Sequence, residues 1–133
     1  MFDQRALRAL GLVADDLAEE VLRERAEVRR RIGRYRGDRP PPQVAGRTVV
    51  VVDDGLATGA TARAALRWVR PRGPARLLLA VPVAPPETCA ALSAEADTVV
   101  CAHAPADFTA VGAWYDDFGQ LADTDVDRYL GGR

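Results

Sequence analysis

Two adjacent carboxylates follow a run of valines in the stretch VVVVDDGLATGAT, which covers residues 49–61. Carboxylates at the tip of a buried strand lose solvation, so they are costly unless a cation or hydrogen-bond donors compensate them. Asp53 and Asp54 would therefore suit the hydroxyl groups of a sugar or a divalent cation such as Mg²⁺. The glycines and threonines behind them offer hydroxyl donors and allow close approach to the main chain.

The helix predicted to begin near Gly59 or Ala60 makes the same loop an anion site. Ligands of an open parallel sheet bind beyond the carboxyl ends of its strands, where this loop is expected. Unpaired N–H groups and the positive end of the helix dipole would face it, and Thr58 and Thr61 add hydroxyls. The two aspartates would repel an anion, so the phosphate is expected at the helix end of the loop and hydroxyl groups at the acidic end. A ligand with a phosphate at one end and a diol at the other is a ribose 5-phosphate.

Strand and helix patterns alternate from Arg47 onward. The predicted strands are RTVVVVD, ARLLLAVPV and DTVVCA, and the predicted helices between them are GATARAALRWVR and PPETCAALSAEA. The β-branched run before the acids is typical of a parallel strand covered on both faces, and we expect it to be central. This β-α-β-α-β order predicts an α/β fold with a parallel sheet and right-handed crossovers.

The first part of the chain has a different pattern. Residues 15–34 have the apolar spacing of a charged helix, and the segment GDRPPPQVAG then breaks that helix with three consecutive prolines. The predicted division is an N-terminal helical segment with a proline-rich connection, residues 1–46, and a βαβαβ core with a C-terminal tail, residues 47–133.

The composition narrows the class of protein. A chain of 133 residues with 48 % hydrophobic and 28 % charged residues predicts one soluble globular domain. The formal net charge of -1 argues against general electrostatic binding of nucleic acid or of an anionic membrane. No window is apolar enough to cross a bilayer, and the N-terminus lacks the apolar core of a secretion signal, which predicts a cytoplasmic protein.

Two residue types exclude further classes. The chain contains no lysine, which excludes a Walker A loop and Schiff-base chemistry. Cys89 and Cys101 are too few for a disulfide framework and lack the paired spacing of metal ligands, so we expect reduced, half-buried side chains.

The order of residue types in residues 49–61 resembles the phosphoribosyl pyrophosphate (PRPP) site of type I phosphoribosyltransferases: a hydrophobic strand, two acids, a short loop, then Thr-Gly-(Gly or Ala)-Thr. The stretches YRGDRPPPQVAGRTVVVVDDGLATGAT, VPVAPPETCAAL and FTAVGAWYDDFGQ are similar to bacterial members of this family, from about Gly11 onward. The resemblance implies a Rossmann-like, three-layer parallel sheet. It also implies Mg²⁺-dependent transfer of a phosphoribosyl group from PRPP to a nitrogenous acceptor, a glycosyl transfer of nucleotide metabolism.

The resemblance also implies residue roles. Asp53 and Asp54 would be the catalytic residues that hold the ribose 2′- and 3′-hydroxyls, with Mg²⁺ carried by PRPP and these acids as its candidate protein ligands. The residues implied for the 5′-phosphate are Ala57, Thr58, Gly59, Ala60 and Thr61. The alternative for the acid pair is that it only caps the following turn.

Three further features have two interpretations each. Trp114 or Tyr115 could stack on the accepting base, or the aromatic residues of 108–118 could hold the C-terminal tail on the sheet. His103 could approach the crevice or be an ordinary loop histidine. The arginines of residues 29–39 could stabilise a leaving pyrophosphate or form a solvated helix face.

The chain also departs from the family pattern. Nothing before Arg47 has the pattern of a strand, and no glycine-containing loop is available there to bind pyrophosphate. We therefore expect the C-terminal portion of such an enzyme, lacking the N-terminal strands. The alternatives to an active transferase are a non-catalytic module that binds PRPP or a nucleotide, and a vestigial fragment. Uncovered strands would favour self-association or a homo-oligomer.

Overall fold

The computed structural model describes residues 7–9 and 11–130. The helices are α1 (Ala18–Arg36), α2 (Ala60–Val69), α3 (Pro86–Leu92) and α4 (Asp123–Leu130), and the strands are β1 (Thr48–Val52), β2 (Arg76–Val83) and β3 (Thr98–His103). The chain forms two compact units: Gln43–Phe118 is one, and the described residues up to Pro42 and from Gly119 make up the other. The domain division at residue 46 stays a prediction. No helix in the described ranges is both long enough and apolar enough to span a membrane.

The three strands of Gln43–Phe118 form one parallel sheet in the order β1-β2-β3. β1 and β2 are each followed along the chain by the loop and helix that the sequence predicts, so the parallel α/β fold is confirmed. Right-handed crossovers between neighbouring strands in this order bring α2 and α3 to the same face of the sheet. The described residues of this unit therefore form two layers, a sheet and a pair of helices.

The core lies between the sheet and these two helices. Alternate residues of β2 face it, because successive strand residues point to opposite sides. Leu77 and Leu79 are fully buried there, against Leu66 of α2 and Leu92 of α3. Burial of such side chains contributes about 1.5–3 kcal/mol each, which makes this contact the main stabilising feature of the unit. Both cysteines are free and half-buried, as predicted.

The opposite face of the sheet is exposed in the described part of the chain. Val50 and Val52 of β1 are 50 % and 72 % exposed, and Val100 of β3 is 50 % exposed. The prediction that β1 is covered on both faces is therefore wrong here, and β1 is an edge strand, with β2 in the centre. The reason is topological: two crossovers in the same direction leave one face of the sheet without a helix.

This apolar face generates the first prediction. Val50→Thr with Val52→Thr keeps the β-branched shape that favours strands while it reduces the exposed apolar area. We expect the double variant to bind less of a hydrophobic dye and to sediment at a lower average mass than the wild type. Val49→Thr is the control, because Val49 packs against the core and its replacement should lower the melting temperature instead. Unchanged dye binding and sedimentation of the double variant would contradict the prediction.

The unit formed by α1 and α4 is joined largely by ion pairs. Arg30 contacts Asp123 at 2.6 Å, and Arg34 contacts Asp127 at 2.7 Å. The Tyr35 hydroxyl also donates a hydrogen bond to Asp123. Helix α1 matches the prediction for residues 15–34, with a short 3-10 turn at Ala14–Leu17 before it. Helix α4 was not predicted, because its sequence is polar and it was assigned to the C-terminal tail.

The pairing of α1 with α4 predicts a specific acid dependence. The hydrogen bond from Arg30, with that from Tyr35, lowers the pKa of Asp123 from 3.8 to about 2. A lowered carboxyl pKa stabilises the folded protein at pH values above the ordinary pKa of 3.8. This stabilisation is lost as the pH falls from 3.8 through about 2. Asp123→Asn should therefore melt at a lower temperature than the wild type at neutral pH and at the same temperature by about pH 2.

Thermal melting followed by circular dichroism over a pH series measures this difference. The control is Asp38→Asn, which alters an exposed carboxylate elsewhere in the chain and should match the wild type throughout. A difference between Asp123→Asn and the wild type that stays constant across the whole pH range would contradict the assignment.

Candidate functional site

The loop after β1 continues to hydrogen-bond along β2 beyond the end of the strand. The Leu56 N–H donates to the Val83 carbonyl at 3.0 Å. The Leu56 side chain is only 2 % exposed, so the middle of the loop is anchored in the core. Asp53 is half-buried and Asp54 exposed on one side of this anchor, and the small residues that lead into α2 lie on its other side.

Two positions of the loop require glycine. Gly59 has a φ of +70°, and a Cβ there would lie 2.9 Å from Leu92 Cδ1 and 3.0 Å from Thr88 Cγ2. A Cβ on Gly55 would lie 2.6 Å from Val111 Cγ1. Close packing by α3 and by the later segment therefore demands the small residues that the motif contains.

The first turn of α2 presents donors that the protein itself leaves largely unsatisfied. Gly59 is the N-cap residue and has no side chain to accept from the first helical N–H groups. Thr58 Oγ1 accepts weakly from the Ala60 N–H, at 3.4 Å. The first helical hydrogen bond runs from the Arg63 N–H to the Gly59 carbonyl, at 2.9 Å. Thr58 and Thr61 are both exposed, so their hydroxyls are accessible to a ligand.

The acids and this helix terminus line a single cleft of about 310 Å³. Its lining residues are Asp53, Asp54, Gly55, Leu56, Ala57, Thr58, Gly59, Ala60, Thr61, Ala62 and Val111. Every residue predicted to hold the sugar or the phosphate is in this set. The set contains two carboxylates and no basic side chain, so its side-chain charge is negative.

Burial affects the charge of the first acid. Loss of solvent around Asp53 raises the pKa of its carboxyl group, and the nearby Asp54 charge raises it further. A hydrogen bond from the Asp54 N–H to Asp53 Oδ1, at 3.0 Å, acts in the opposite direction. Burial therefore makes the charged form of Asp53 more costly than in water, and a cation or a hydrogen-bond donor would compensate that cost, as is expected of a ligand-binding carboxylate.

The predicted aromatic residues contact the site from a later segment. The rings of Trp114 and His103 are 4.8 Å apart, and those of Tyr115 and Phe118 are 5.1 Å apart. The Tyr115 hydroxyl donates to the Asp54 carbonyl at 2.6 Å. None of these rings is among the residues that line the cleft, so base stacking by Trp114 or Tyr115 stays a prediction.

Sequence analysis missed two residues that distant parts of the chain contribute to the site. Thr88 is buried and donates from its hydroxyl to the Ala57 carbonyl at 2.9 Å, which ties α3 to the loop. Val111 is the one residue from outside residues 53–62 that lines the cleft in the described part of the chain. Neither has a local sequence signal, because each contacts residues far away along the chain.

Four arginines of residues 29–39 have protein partners in their own unit, namely Arg30, Arg31, Arg34 and Arg39. Arg30 and Arg34 pair with α4, and Arg31 pairs with Glu27 at 2.7 Å. A separate cleft of about 490 Å³ in this unit is lined by Val28, Arg31, Ile32, Tyr35, Arg36, Arg39, Pro40 and Pro42. A role for these arginines toward a leaving pyrophosphate stays a prediction.

The contact between Gly55 and Val111 can be tested by a double-mutant cycle. Gly55→Ala should destabilise by about 1–3 kcal/mol, because the added methyl meets a packed side chain. Val111→Ala removes the two nearest methyl groups, so the double variant should recover part of that loss, with a coupling of about 0.5–3 kcal/mol. Recovery is incomplete because Val83 Cγ1 lies 3.1 Å from the added atom.

Denaturant unfolding measures these free energies. Gly33→Ala is the matched control, since a Cβ at Gly33 would meet no atom within 4 Å, and its effect should add to that of Val111→Ala. Strict additivity for the Gly55 and Val111 pair would mean that the two residues do not touch in solution.

Comparison with known proteins identifies the family. The family model described as "Phosphoribosyl transferase domain" matches residues 10–116. Two proteins from two strains of Mycobacterium tuberculosis, each named "Putative phosphoribosyl transferase", are 44 % identical over 104 residues, which are 78 % of this chain and 24 % of theirs. The crystal structure of TT1426 from Thermus thermophilus is 46 % identical with a TM-score of 0.76, and the match covers 97 % of this chain and 61 % of that one.

The chain therefore spans about a quarter of the length of these curated relatives and about three fifths of the solved protein. The family match begins at residue 10, close to the point, near Gly11, from which the sequence resembles the bacterial enzymes. It includes β1, the acid pair and the whole cleft-lining loop. The chain belongs to the family of phosphoribosyl transferase domains.

Proposed function

We propose that residues 53–61 bind the ribose 5-phosphate part of PRPP, and that the chain serves phosphoribosyl transfer to a nitrogenous acceptor. One observation carries the proposal: the acid pair and the N-terminus of α2 line the same cleft of about 310 Å³. A ligand that fills this cleft must offer hydroxyls or a cation to one end and an anion to the other. The family to which the chain belongs supports the choice of PRPP.

The phosphate end uses uncharged donors. Main-chain N–H groups at the start of α2 and the hydroxyls of Thr58 and Thr61 are suited to phosphate oxygens. The absence of a side-chain cap on Gly59 leaves those N–H groups available to a ligand. The residues that we assign to the 5′-phosphate are Ala57, Thr58, Gly59, Ala60 and Thr61.

The sugar end uses the two carboxylates, which accept hydrogen bonds from the ribose 2′- and 3′-hydroxyls. The described residues contain no cluster of three or more acidic, histidine or cysteine side chains suited to a metal. A pair of carboxylates does suit Mg²⁺, which characteristically binds one or two carboxylates together with substrate phosphates. Asp53 and Asp54 would be its protein ligands, and bound Mg²⁺ would neutralise the pyrophosphate.

The chemistry assigned to the acids is electrostatic. In the transfer, the bond from ribose C1 to the pyrophosphate oxygen breaks, pyrophosphate leaves with the electron pair, and a nitrogen lone pair of the acceptor forms the new bond to C1. Positive charge develops at C1 and the ring oxygen before the new bond is complete. Carboxylates held next to the ribose stabilise that charge, and the anchored phosphate orients the reacting carbon.

A second function has one observation in its favour. Within the described residues, the cleft is lined by a single loop and by Val111, so no second strand-end loop is available to the pyrophosphate. This would suit a non-catalytic module that binds PRPP or a nucleotide. Release of pyrophosphate from Mg²⁺-PRPP in the presence of a panel of bases would indicate the transferase, and binding of PRPP without turnover would indicate the non-catalytic module.

The cytoplasmic location stays a prediction.

Calorimetry with ribose 5-phosphate and with inorganic phosphate, with and without Mg²⁺, tests the assignment of the two ends. Thr58→Val should lower the affinity for both ligands by about tenfold, because a hydroxyl donor to a charged group is lost. The double variant Asp53→Asn with Asp54→Asn should bind ribose 5-phosphate more weakly than the wild type does. It should bind inorganic phosphate as tightly or more tightly, since two negative charges that repel the anion are removed.

The fold of these variants is checked by thermal melting. The side-chain amide oxygen that Asp53→Asn introduces would still accept from the Asp54 N–H, so this single replacement should not lower the melting temperature. The exposed Thr109→Val, outside the cleft, is the control for Thr58→Val. Wild-type affinity in all the cleft variants, or no binding of either ligand at millimolar concentration, would refute the proposed function.

A further inference from the structure

Tyr115 contacts the acid pair through the main chain, although 61 positions separate it from Asp54. Its hydroxyl donates to the Asp54 carbonyl oxygen at 2.6 Å, a short and well-formed hydrogen bond. The phenol therefore acts at the point where the second acid joins Gly55, within the loop that lines the cleft.

Asp54 is held at both of its main-chain polar groups. Its N–H donates to Asp53 Oδ1 at 3.0 Å, and its carbonyl accepts from Tyr115. Fixing both groups restricts rotation about the bonds on either side of the Asp54 Cα, and so restricts the direction of its carboxylate. The Asp54 side chain itself is exposed and has no packing against the core to orient it.

The segment that carries Tyr115 is packed independently of this hydrogen bond. Val111 lies against Gly55, and Phe118 lies against Gly112 so closely that a Cβ there would be 2.8 Å from Phe118 Cδ1. The rings of Tyr115 and Phe118 are 5.1 Å apart. The hydroxyl is therefore preorganised, and its bond to Asp54 needs little further ordering when a ligand binds.

We propose that Tyr115 is a positioning residue, which orients the acid pair toward the sugar of a phosphorylated ribose through the Asp54 carbonyl. This inference rests on the proposed function, since it concerns the sugar end of the same cleft. It differs from base stacking in the group involved: the hydroxyl matters here, and the ring is needed only to place it. Tyr115 thus affects sugar recognition and leaves phosphate recognition at the start of α2 unchanged.

The test compares the Tyr115→Phe variant with the wild type. Calorimetry on the full chain measures the affinity of each for ribose 5-phosphate and for inorganic phosphate. The variant keeps the ring and its contact with Phe118. We expect ribose 5-phosphate to bind about three- to tenfold more weakly, the usual consequence of losing one hydrogen bond, and inorganic phosphate to bind as in the wild type. The ratio of the two affinities is the readout, because a purely structural effect would lower both.

Two controls separate the hydroxyl from the rest of the side chain. Tyr129→Phe removes a phenolic hydroxyl from a residue that is 70 % exposed in the other unit, and both affinities should stay unchanged. Phe118→Leu removes the ring partner of Tyr115 but keeps the hydroxyl and the contact of Val111 with Gly55 that places the segment, so the wild-type ratio should be retained.

The outcomes distinguish the two proposals. A wild-type chain that binds neither ligand would overturn the proposed function, and the role of Tyr115 with it. Wild-type binding of both ligands by Tyr115→Phe would overturn the positioning role alone. Equal losses for both ligands in Tyr115→Phe would show that the hydroxyl supports the loop as a whole and not the sugar end, which would also overturn the positioning role. The same change of ratio in Phe118→Leu would assign the effect to the aromatic contact and overturn the role of the hydrogen bond.

Discussion

The burial of Leu56 is the constraint on which the site depends. The buried Leu56 side chain divides the loop after β1 into an acidic half and a half that leads into α2. The main-chain N–H of Leu56 donates to the Val83 carbonyl and so continues the hydrogen bonding to β2. With its middle anchored, the loop keeps Asp53 and Asp54 apart from the helix terminus while both still line one cleft. A site for hydroxyls or a cation and a site for an anion can then coexist in one cleft, because the acids and the start of α2 lie on opposite sides of the anchored Leu56 along the chain.

The rest of the unit supports that loop by close packing. Leu92 and Thr88 of α3 lie within 3.0 Å of the position that a Cβ on Gly59 would take, and the Thr88 hydroxyl donates to the Ala57 carbonyl. Val111 packs against Gly55. Interiors pack densely and respond to a change of one methyl group, so the glycines are needed for space as well as for main-chain conformation. The loop thus derives its shape from β2, α3 and the segment of Val111.

The charge of the cleft has a consequence for the ligand. Its lining residues include two acids and no arginine, although the chain carries many arginines elsewhere. A phosphate would be bound by N–H dipoles and hydroxyls, which are favourable at a helix N-terminus but do not neutralise a full charge. A divalent cation brought with the ligand would offset the carboxylates, which is consistent with the Mg²⁺ dependence that we propose. The arginines of α1 instead stabilise the pair of helices α1 and α4.

The sequence by itself determined the parallel α/β fold and the candidate site, because the strand, the acids, the glycines and the helix start are contiguous in residues 49–61. Such local patterns depend on hydrogen bonds and dihedral angles between near neighbours. Only the tertiary structure decided that β1 is an edge strand with Val52 exposed, and that α4 pairs with α1. It also decided which distant residues complete the loop, such as Tyr115, since side-chain contacts across some sixty positions follow from packing that no local pattern encodes.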